Sequence, residues 1–120
     1  MTNPTPVDMN RLAEIRMLFT DDTSSLFEDF FAELPNRLDS LHDAVHKRAN
    51  QDVMESAHSL RGSCSSVGAI YVERWARRIE RSANLHDLDH AGTSMLCLEI
   101  ELARFREWLE AEGLLKAQAV

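Results

Sequence analysis

Apolar residues recur three and four positions apart along almost the whole chain, and no stretch alternates polar and apolar residues for long. The first spacing places side chains on one face of an α-helix, whereas a half-buried strand requires the second. A chain of 120 residues has room for one domain with one core. The pattern therefore predicts an all-α fold in a single domain.

Capping residues and polar breaks divide this pattern into one short helix and four longer ones. Asp8 is placed to cap the short helix, which carries Leu12, Ile15 and Leu18 or Phe19 on its apolar side. The longer helices are expected at about 23–48, 51–66, 69–84, and from the end of the polar turn 84–89 to about 112.

Short loops require consecutive helices to pack as antiparallel neighbours. We therefore expect an antiparallel up-and-down four-helix bundle over 8–113, with the short extra helix laid across it. Residues 1–7 form a flexible lead and 114–120 a tail in this prediction, and Pro35 is expected to bend the second helix. The second helix also supplies core positions: Phe27, Phe30, Phe31, Leu34, Leu38, Leu41 and Val45.

The charge of the chain argues against several classes of partner. A net charge of −7 and the lack of a long basic stripe argue against nucleic acid. The locally basic run RWARRIER at 74–81 is interpreted as arginines on a solvated helix face. Neither a membrane span nor a signal peptide is recognisable, so we expect a cytoplasmic protein without a membrane partner. Cys64 and Cys97 are interpreted as small buried thiols.

The stretch AHSLRGSCSSVGA at 57–69 places one histidine on the outward face of a helix. The apolar stripe consists of Val53, Ala57, Leu60, Cys64 and Val67. His58 projects roughly 140° away from the middle of that stripe, at about 100° per residue. Its neighbours on the outward face are Gln51, Met54, Glu55, Arg61, Gly62 and Ser65.

A glycine in the middle of a helix calls for a reason, because it costs roughly 1 kcal/mol relative to alanine. Gly62 lies beside His58 and Arg61. We interpret it as leaving room for a partner's backbone and a phosphoryl group to approach the imidazole. Arg61 would then supply positive charge and directed donors for the phosphoryl oxygens.

The stretch from His58 to Ala69, HSLRGSCSSVGA, resembles the signature of histidine-containing phosphotransfer (HPt) domains, H-x-L-K-G-[SA]-x-x-x-[LV]-G. The flanking segments FFAELPNRLDSL and ARRIERSA also resemble that family, so the resemblance covers most of 10–110. It implies a four-helix bundle that acts as a phosphohistidine carrier. The sequence has no Gly-rich phosphate loop and no carboxylate cluster placed for Mg²⁺, so we expect no ATP binding and no autophosphorylation.

The resemblance also implies roles for individual residues. His58 corresponds to the phosphorylated histidine, Arg61 to the basic residue that balances the phosphate, and Gly62 to the small residue that permits docking. Gly68 corresponds to the glycine that ends the helix. Arginine stands where lysine is more common, which keeps the charge and changes the donor geometry. Glu80 falls where chemotaxis-kinase members place a glutamate that bonds the histidine ring.

The implied partners are the receiver domains of a hybrid sensor histidine kinase and of a response regulator. The chain is expected to have no cofactor of its own, with Mg²⁺ held by the receiver, and to be a monomer. Residues predicted to contact a receiver are Met54, Glu55, Ser65 and Gly68, although Met54 also fits a partly covered position at the edge of the core.

Two other functions remain open at this stage. His42 and His46, and likewise His86 and His90, are four residues apart, a spacing that can hold a transition metal in a helical bundle. These pairs fall largely on polar faces, so no metal ligands are predicted. The other alternative is an HPt-like adaptor that binds proteins without transferring phosphate.

Overall fold

The computed structural model describes residues 4–117, and five α-helices make up its regular structure. These are α1 (Met9–Leu18), α2 (Thr23–His46), α3 (Asn50–Val67), α4 (Ile70–Asn84) and α5 (Ala91–Ala111). The all-α prediction is confirmed, while the statements made for residues 1–3 and 118–120 lie outside the described residues. Within that described part, no helix combines the length and apolar character needed to cross a membrane.

Helices α2 to α5 form the bundle, and each packs against the next along the chain. The most extensive interface joins α3 to α4, whereas α2 and α5 meet only sparsely. Helix α1 lies against α3. The predicted bundle with an extra N-terminal helix is confirmed. We call its most extensive helix interface the α3–α4 seam.

An aromatic cluster fills the core between α2 and α5. The ring of Phe105 lies 6.3 Å from that of Phe27 and 6.0 Å from that of Phe30, both edge-on. Phe31 stacks on the same ring at 6.0 Å. Edge-to-face and offset contacts at these distances are favourable for aromatic pairs. Phe105 thus ties the two helices together although their overall contact is sparse.

Some apolar positions are less buried than predicted. Leu18 and Phe19 are 70% and 39% exposed, because α1 ends at Leu18 and its buried residues are Leu12 and Ile15. The predicted apolar side of α1 is therefore buried at Leu12 and Ile15 but not at Leu18 or Phe19. The second helix shows a smaller difference, since three of its predicted core residues are only partly buried: Phe31, Leu38 and Val45.

The packed domain extends beyond the predicted limits of 8 and 113. Val7 and Leu115 are both buried in the core. Arg104 Nη2 also donates a hydrogen bond of 2.6 Å to the carbonyl of Pro4, which ties the N-terminal segment to α5. The predicted limits follow the caps of the first and last helices, whereas Val7 and Leu115 pack into the core from outside the helices.

Helices α2 to α5 all end in the same way. Just past the last turn, one residue has left-handed backbone, with φ of 52°, 75°, 56° and 73° at Arg48, Gly68, His86 and Gly113. The next backbone N–H then donates to a carbonyl of the last turn: Ala49 to Ala44, Ala69 to Cys64, Asp87 to Ser82 and Leu114 to Leu109. This is the Schellman ending, which satisfies otherwise unpaired helix carbonyls.

Gly68 also provides the place where the chain before α1 meets the end of α3. The backbone N–H of Asp8 donates to the Gly68 carbonyl at 2.8 Å. The Asp8 carboxylate meanwhile caps α1 by accepting from the backbone of Asn10 and Arg11. A Cβ on Gly68 would lie 3.4 Å from the Asp8 carbonyl oxygen. That is an ordinary van der Waals distance, so glycine is favoured here by its left-handed backbone, with φ of 75°. The predicted helix-ending glycine is confirmed.

The two cysteines differ in burial. Cys64 is fully buried, and desolvation raises the pKa of its thiol to about 12, with the nearby Glu73 carboxylate adding to the rise and Arg37 opposing it. Cys97 is only half-buried, which corrects the prediction that both are buried. Because thiolate is the reactive form, Cys64 is chemically inert near neutral pH.

Exchanging residues at the left-handed positions tests the helix endings. His86→Gly should raise the free energy of unfolding by about 0.5–1 kcal/mol, because glycine lacks the Cβ that penalises this conformation. Gly113→Ala should lower it by about 1 kcal/mol through the same backbone term, since a Cβ there would meet nothing within 4 Å. Urea denaturation measures both, and shifts of the same sign in the two variants would contradict the account.

Candidate functional site

His58 stands on the outward face of α3, as predicted. The opposite face of this helix is fully or almost fully buried, and its residues are the predicted ones: Val53, Ala57, Leu60, Cys64 and Val67. The His58 side chain is 68% exposed. Its ring is thus anchored on a rigid helix while one edge stays open to an approaching molecule.

Glu80 of α4 holds the His58 ring across the α3–α4 seam. Its Oε2 lies 2.6 Å from His58 Nδ1, and only 17% of the Glu80 side chain is exposed. A carboxylate accepts hydrogen bonds, so this contact requires the proton on Nδ1. Nε2 of the neutral ring is then unprotonated and carries the lone pair of a nucleophile.

Arg61 lies one turn along α3 and contacts both members of this pair. Its Nε is 3.1 Å from Glu80 Oε1, and its Nη2 is 3.1 Å from His58 Nδ1. Nδ1 cannot donate to Glu80 and accept from Arg61 at once. The contact of Nδ1 with Glu80 is the shorter one, so we assign the hydrogen bond to that pair. Arg61 then acts as a nearby positive charge and not as a donor to the ring.

Gly62 leaves open space beside His58. A Cβ built on it would meet no atom within 4 Å, so the fold of this chain does not require glycine here. Gly62 and Ser65 line a shallow polar depression together with Asn10, Glu14 and other residues at the start of α1. Glycine is a poor helix former. At position 62 the absence of a side chain makes room only for a molecule that approaches from outside.

The remaining predicted contact residues differ in accessibility. Glu55 and Ser65 are exposed beside His58. Met54 is half-buried and packs against the core, so it occupies the partly covered position considered as an alternative. Gly68 is buried beneath the start of α1 and is not a surface contact residue, because its αL turn receives Asp8.

Comparisons with known proteins show which family the chain belongs to. The family model named Hpt domain matches residues 25–108, which is more than half of the chain. The chain belongs to the Hpt domain family. It is also similar to the crystal structure of histidine-containing phosphotransfer protein B (HptB) from Pseudomonas aeruginosa PAO1, with a TM-score of 0.85 and 27% identity over 92% of this chain and 96% of that one. A search of curated proteins gave no significant match.

Membership of the Hpt family confirms the resemblance seen in the sequence. Hpt domains are phosphocarrier modules of phosphorelays, and the chain is accordingly a histidine phosphotransfer carrier. The arrangement of His58, Glu80 and Arg61 suits such a carrier, because it combines an oriented nucleophilic nitrogen with a positive charge close by.

Sequence reasoning missed the contribution of α2 to the surroundings of this Hpt site. Arg37 Nη1 donates a 2.6 Å hydrogen bond to Ser59 Oγ, next to His58. Arg37 and Ser59 line a shallow polar depression with Asn36 and Glu55. No periodicity on α3 could reveal this, because Arg37 reaches the site only through the packing of α2 on α3.

The two histidine pairs considered as metal ligands, His42 with His46 and His86 with His90, do not form a metal site among the described residues. His42 Nε2 lies 2.6 Å from Glu99 Oε1, which joins α2 to α5. Within residues 4–117 no group of three or more His, Cys, Asp or Glu side chains is placed to hold a metal ion. The His42–Glu99 pair resembles the His58–Glu80 pair in chemistry, yet no arginine forms an ion pair with Glu99 among the described residues. It therefore provides an internal control.

Gly62→Ala should separate stability from access. We expect the free energy of unfolding to rise by up to about 1 kcal/mol, because alanine is the better helix former and its methyl group meets no neighbour. We expect phosphoryl transfer from a receiver domain to slow, because that methyl group occupies the space beside His58. Urea denaturation and the rate of phosphohistidine formation are the two measurements.

Gly92→Ala on α5 is the matched control, since a Cβ on Gly92 also meets nothing within 4 Å. It should leave transfer unchanged. Transfer that is equally fast in wild type and Gly62→Ala would show that Gly62 does not serve access.

Proposed function

We propose that His58 accepts a phosphoryl group on Nε2 from the aspartate of a receiver domain and passes it to the aspartate of another. The observation that carries this proposal is the 2.6 Å contact between His58 Nδ1 and Glu80, which leaves Nε2 unprotonated on an exposed ring edge. The signature around His58 and the family of the chain support the same role.

The proposed step balances without any further reactant. Nε2 attacks the phosphorus of the aspartyl phosphate, the N–P bond forms, and the P–O bond to the aspartate breaks, releasing its carboxylate. Nε2 carries no proton, so none has to leave during attack. The ring becomes cationic, and its Nδ1–H remains bonded to the Glu80 carboxylate, which stabilises that charge. The return step reverses these changes.

We propose that the Arg61 guanidinium binds the phosphoryl oxygens once the group is attached to His58. In the structure its guanidinium is shared between Glu80 and the His58 ring. A phosphoryl dianion on Nε2 adds a second acceptor within reach of that flexible side chain, and guanidinium binds phosphate oxygens well. Glu80 thus positions Arg61 as well as the ring.

The proposed partners are the receiver domains of a hybrid sensor histidine kinase and of a response regulator. The carrier supplies the nucleophile and nearby charge, whereas Mg²⁺ and the remaining catalytic groups are expected on the receiver. Contacts with the receiver are assigned to the exposed surface around His58, including Glu55, Gly62 and Ser65.

Phosphoryl transfer to His58→Gln and His42→Gln tests the proposal with a matched pair. Both histidines are exposed and lie 2.6 Å from a glutamate of another helix. Each protein is incubated with a phosphorylated receiver domain and Mg²⁺, and label that is acid-labile but base-stable is followed. Wild type and His42→Gln should be labelled to the same extent, and His58→Gln should not be labelled.

Label on His58→Gln would place the phosphoryl group elsewhere. Label on none of the proteins, with several receivers tried, would favour the adaptor function instead. Binding of a receiver without transfer, measured by titration calorimetry, would establish that alternative.

Glu80→Gln tests how the ring is positioned. Glutamine removes the negative charge that stabilises the cationic phosphohistidine and no longer imposes one tautomer. The rate of His58 labelling should fall by about 10- to 100-fold, as expected for loss of a hydrogen bond to a charged group worth roughly 1.5–3 kcal/mol. Glu99→Gln, beside His42, should keep the wild-type rate, and an unchanged rate in Glu80→Gln would rule out the positioning role.

A further inference from the structure

The outer face of α4 concentrates positive charge on a chain whose net charge is −7. Arg74, Arg78 and Arg81 are exposed there, and no carboxylate among residues 4–117 lies within ion-pair distance of them. Outside α4, Arg16 is the only other arginine within residues 4–117 that has no carboxylate within ion-pair distance. The other arginines outside α4 each pair with a carboxylate: Arg11, Arg37, Arg48, Arg61, Arg104 and Arg106.

Two of the arginines on this face, Arg74 and Arg78, each stack on an aromatic ring. The guanidinium of Arg74 lies 4.9 Å from the centre of the Tyr71 ring, and that of Arg78 lies 4.9 Å from the centre of the Trp75 ring. Arg104 of α5 approaches the Tyr71 ring at 5.9 Å. Stacking fixes the plane of a guanidinium while its N–H edges stay free, so binding an anion costs less side-chain entropy.

These side chains form a shallow depression that is separate from the His58 site. Tyr71, Arg74, Trp75 and Arg78 line it, and we call it the α4 arginine cleft. Trp75 is five residues from Glu80, which is about 140° around the helix. Glu80 faces α3, whereas the cleft adjoins α5 through Arg104. A molecule in the cleft therefore need not compete with one at His58.

We propose that the α4 arginine cleft binds an acidic, extended peptide segment of a partner protein. Arg74 and Arg78 are one helical turn apart, or about 5–6 Å. Carboxylates at alternate positions of an extended chain are about 6.5 Å apart on one side. Each arginine can then take one carboxylate through two N–H groups, and the rings of Tyr71 and Trp75 offer an apolar wall to the peptide.

The overall charge favours a peptide over a nucleic acid. A strand of DNA brings charge at every phosphate, and most of the remaining surface of this acidic protein repels it. A short segment with two or three carboxylates engages the arginines without that repulsion. This binding goes beyond phosphoryl transfer and does not depend on it.

Fluorescence anisotropy with a fluorescein-labelled Glu-Ser-Glu-Ser-Glu-Ser peptide tests the proposal. Wild type should bind it with an affinity that falls as salt is added. Arg74→Gln/Arg78→Gln should bind about tenfold or more weakly, because two charge-assisted contacts are lost. Arg16→Gln/Lys47→Gln changes the net charge equally at exposed positions on other elements and should bind within about twofold of wild type.

Several outcomes would overturn the proposal. These are no binding of the peptide, equal binding of a Gln-Ser peptide of the same length, equal weakening in both double variants, or tighter binding of a thymidine oligonucleotide with the same number of charges. The His58 labelling rate should be unchanged in Arg74→Gln/Arg78→Gln, and a slower rate would place these arginines in the receiver contact instead. Failure of the wild type to accept phosphate concerns only the function proposed for His58.

Discussion

The packing of α3 against α4 is the interaction on which the site depends. One face of α3 is buried in the bundle. Its packing against α4 also brings Glu80 of α4 into contact with the His58 ring on the outward face of α3. The proposed nucleophile and the group that orients it therefore come from different helices, and their distance is set by the packing of the hydrophobic core. This seam is the most extensive helix interface in the bundle, so the His58–Glu80 distance depends on the packing that fixes these two helices relative to each other.

Much of the fold could be predicted because it is encoded locally. The helix bounds, the cap at Asp8 and the turn at Gly68 each follow from a few neighbouring residues. The exposed position of His58 also follows from the period of one helix. Burial departs from the helical pattern where an element ends, as with the exposed Leu18 and Phe19 at the end of α1, and with Val7 and Leu115, which are buried although they lie outside the helices.

The site was predictable only along α3 itself. Arg61 and Gly62 are sequence neighbours of His58, so helical geometry places them. The Glu80 contact came from a family resemblance, since no property of α4 alone distinguishes this glutamate from Glu73 as a partner of the ring. Arg37 was missed altogether, because its approach to Ser59 depends on how α2 packs on α3. Contacts between helices are a property of the packing, which periodicity does not encode.

The openness of the His58 ring has a cost as well as a use. The His58 side chain is 68% exposed among residues 4–117, so in the proposed function the donor and the acceptor would reach the same ring from solvent. Water reaches it too. If His58 carries the phosphoryl group as proposed, the lifetime of that group is governed by the intrinsic hydrolysis of the N–P bond rather than by shielding from the protein. A carrier built in this way favours reversibility over storage, and its loaded state persists only as long as the chemistry of phosphohistidine allows.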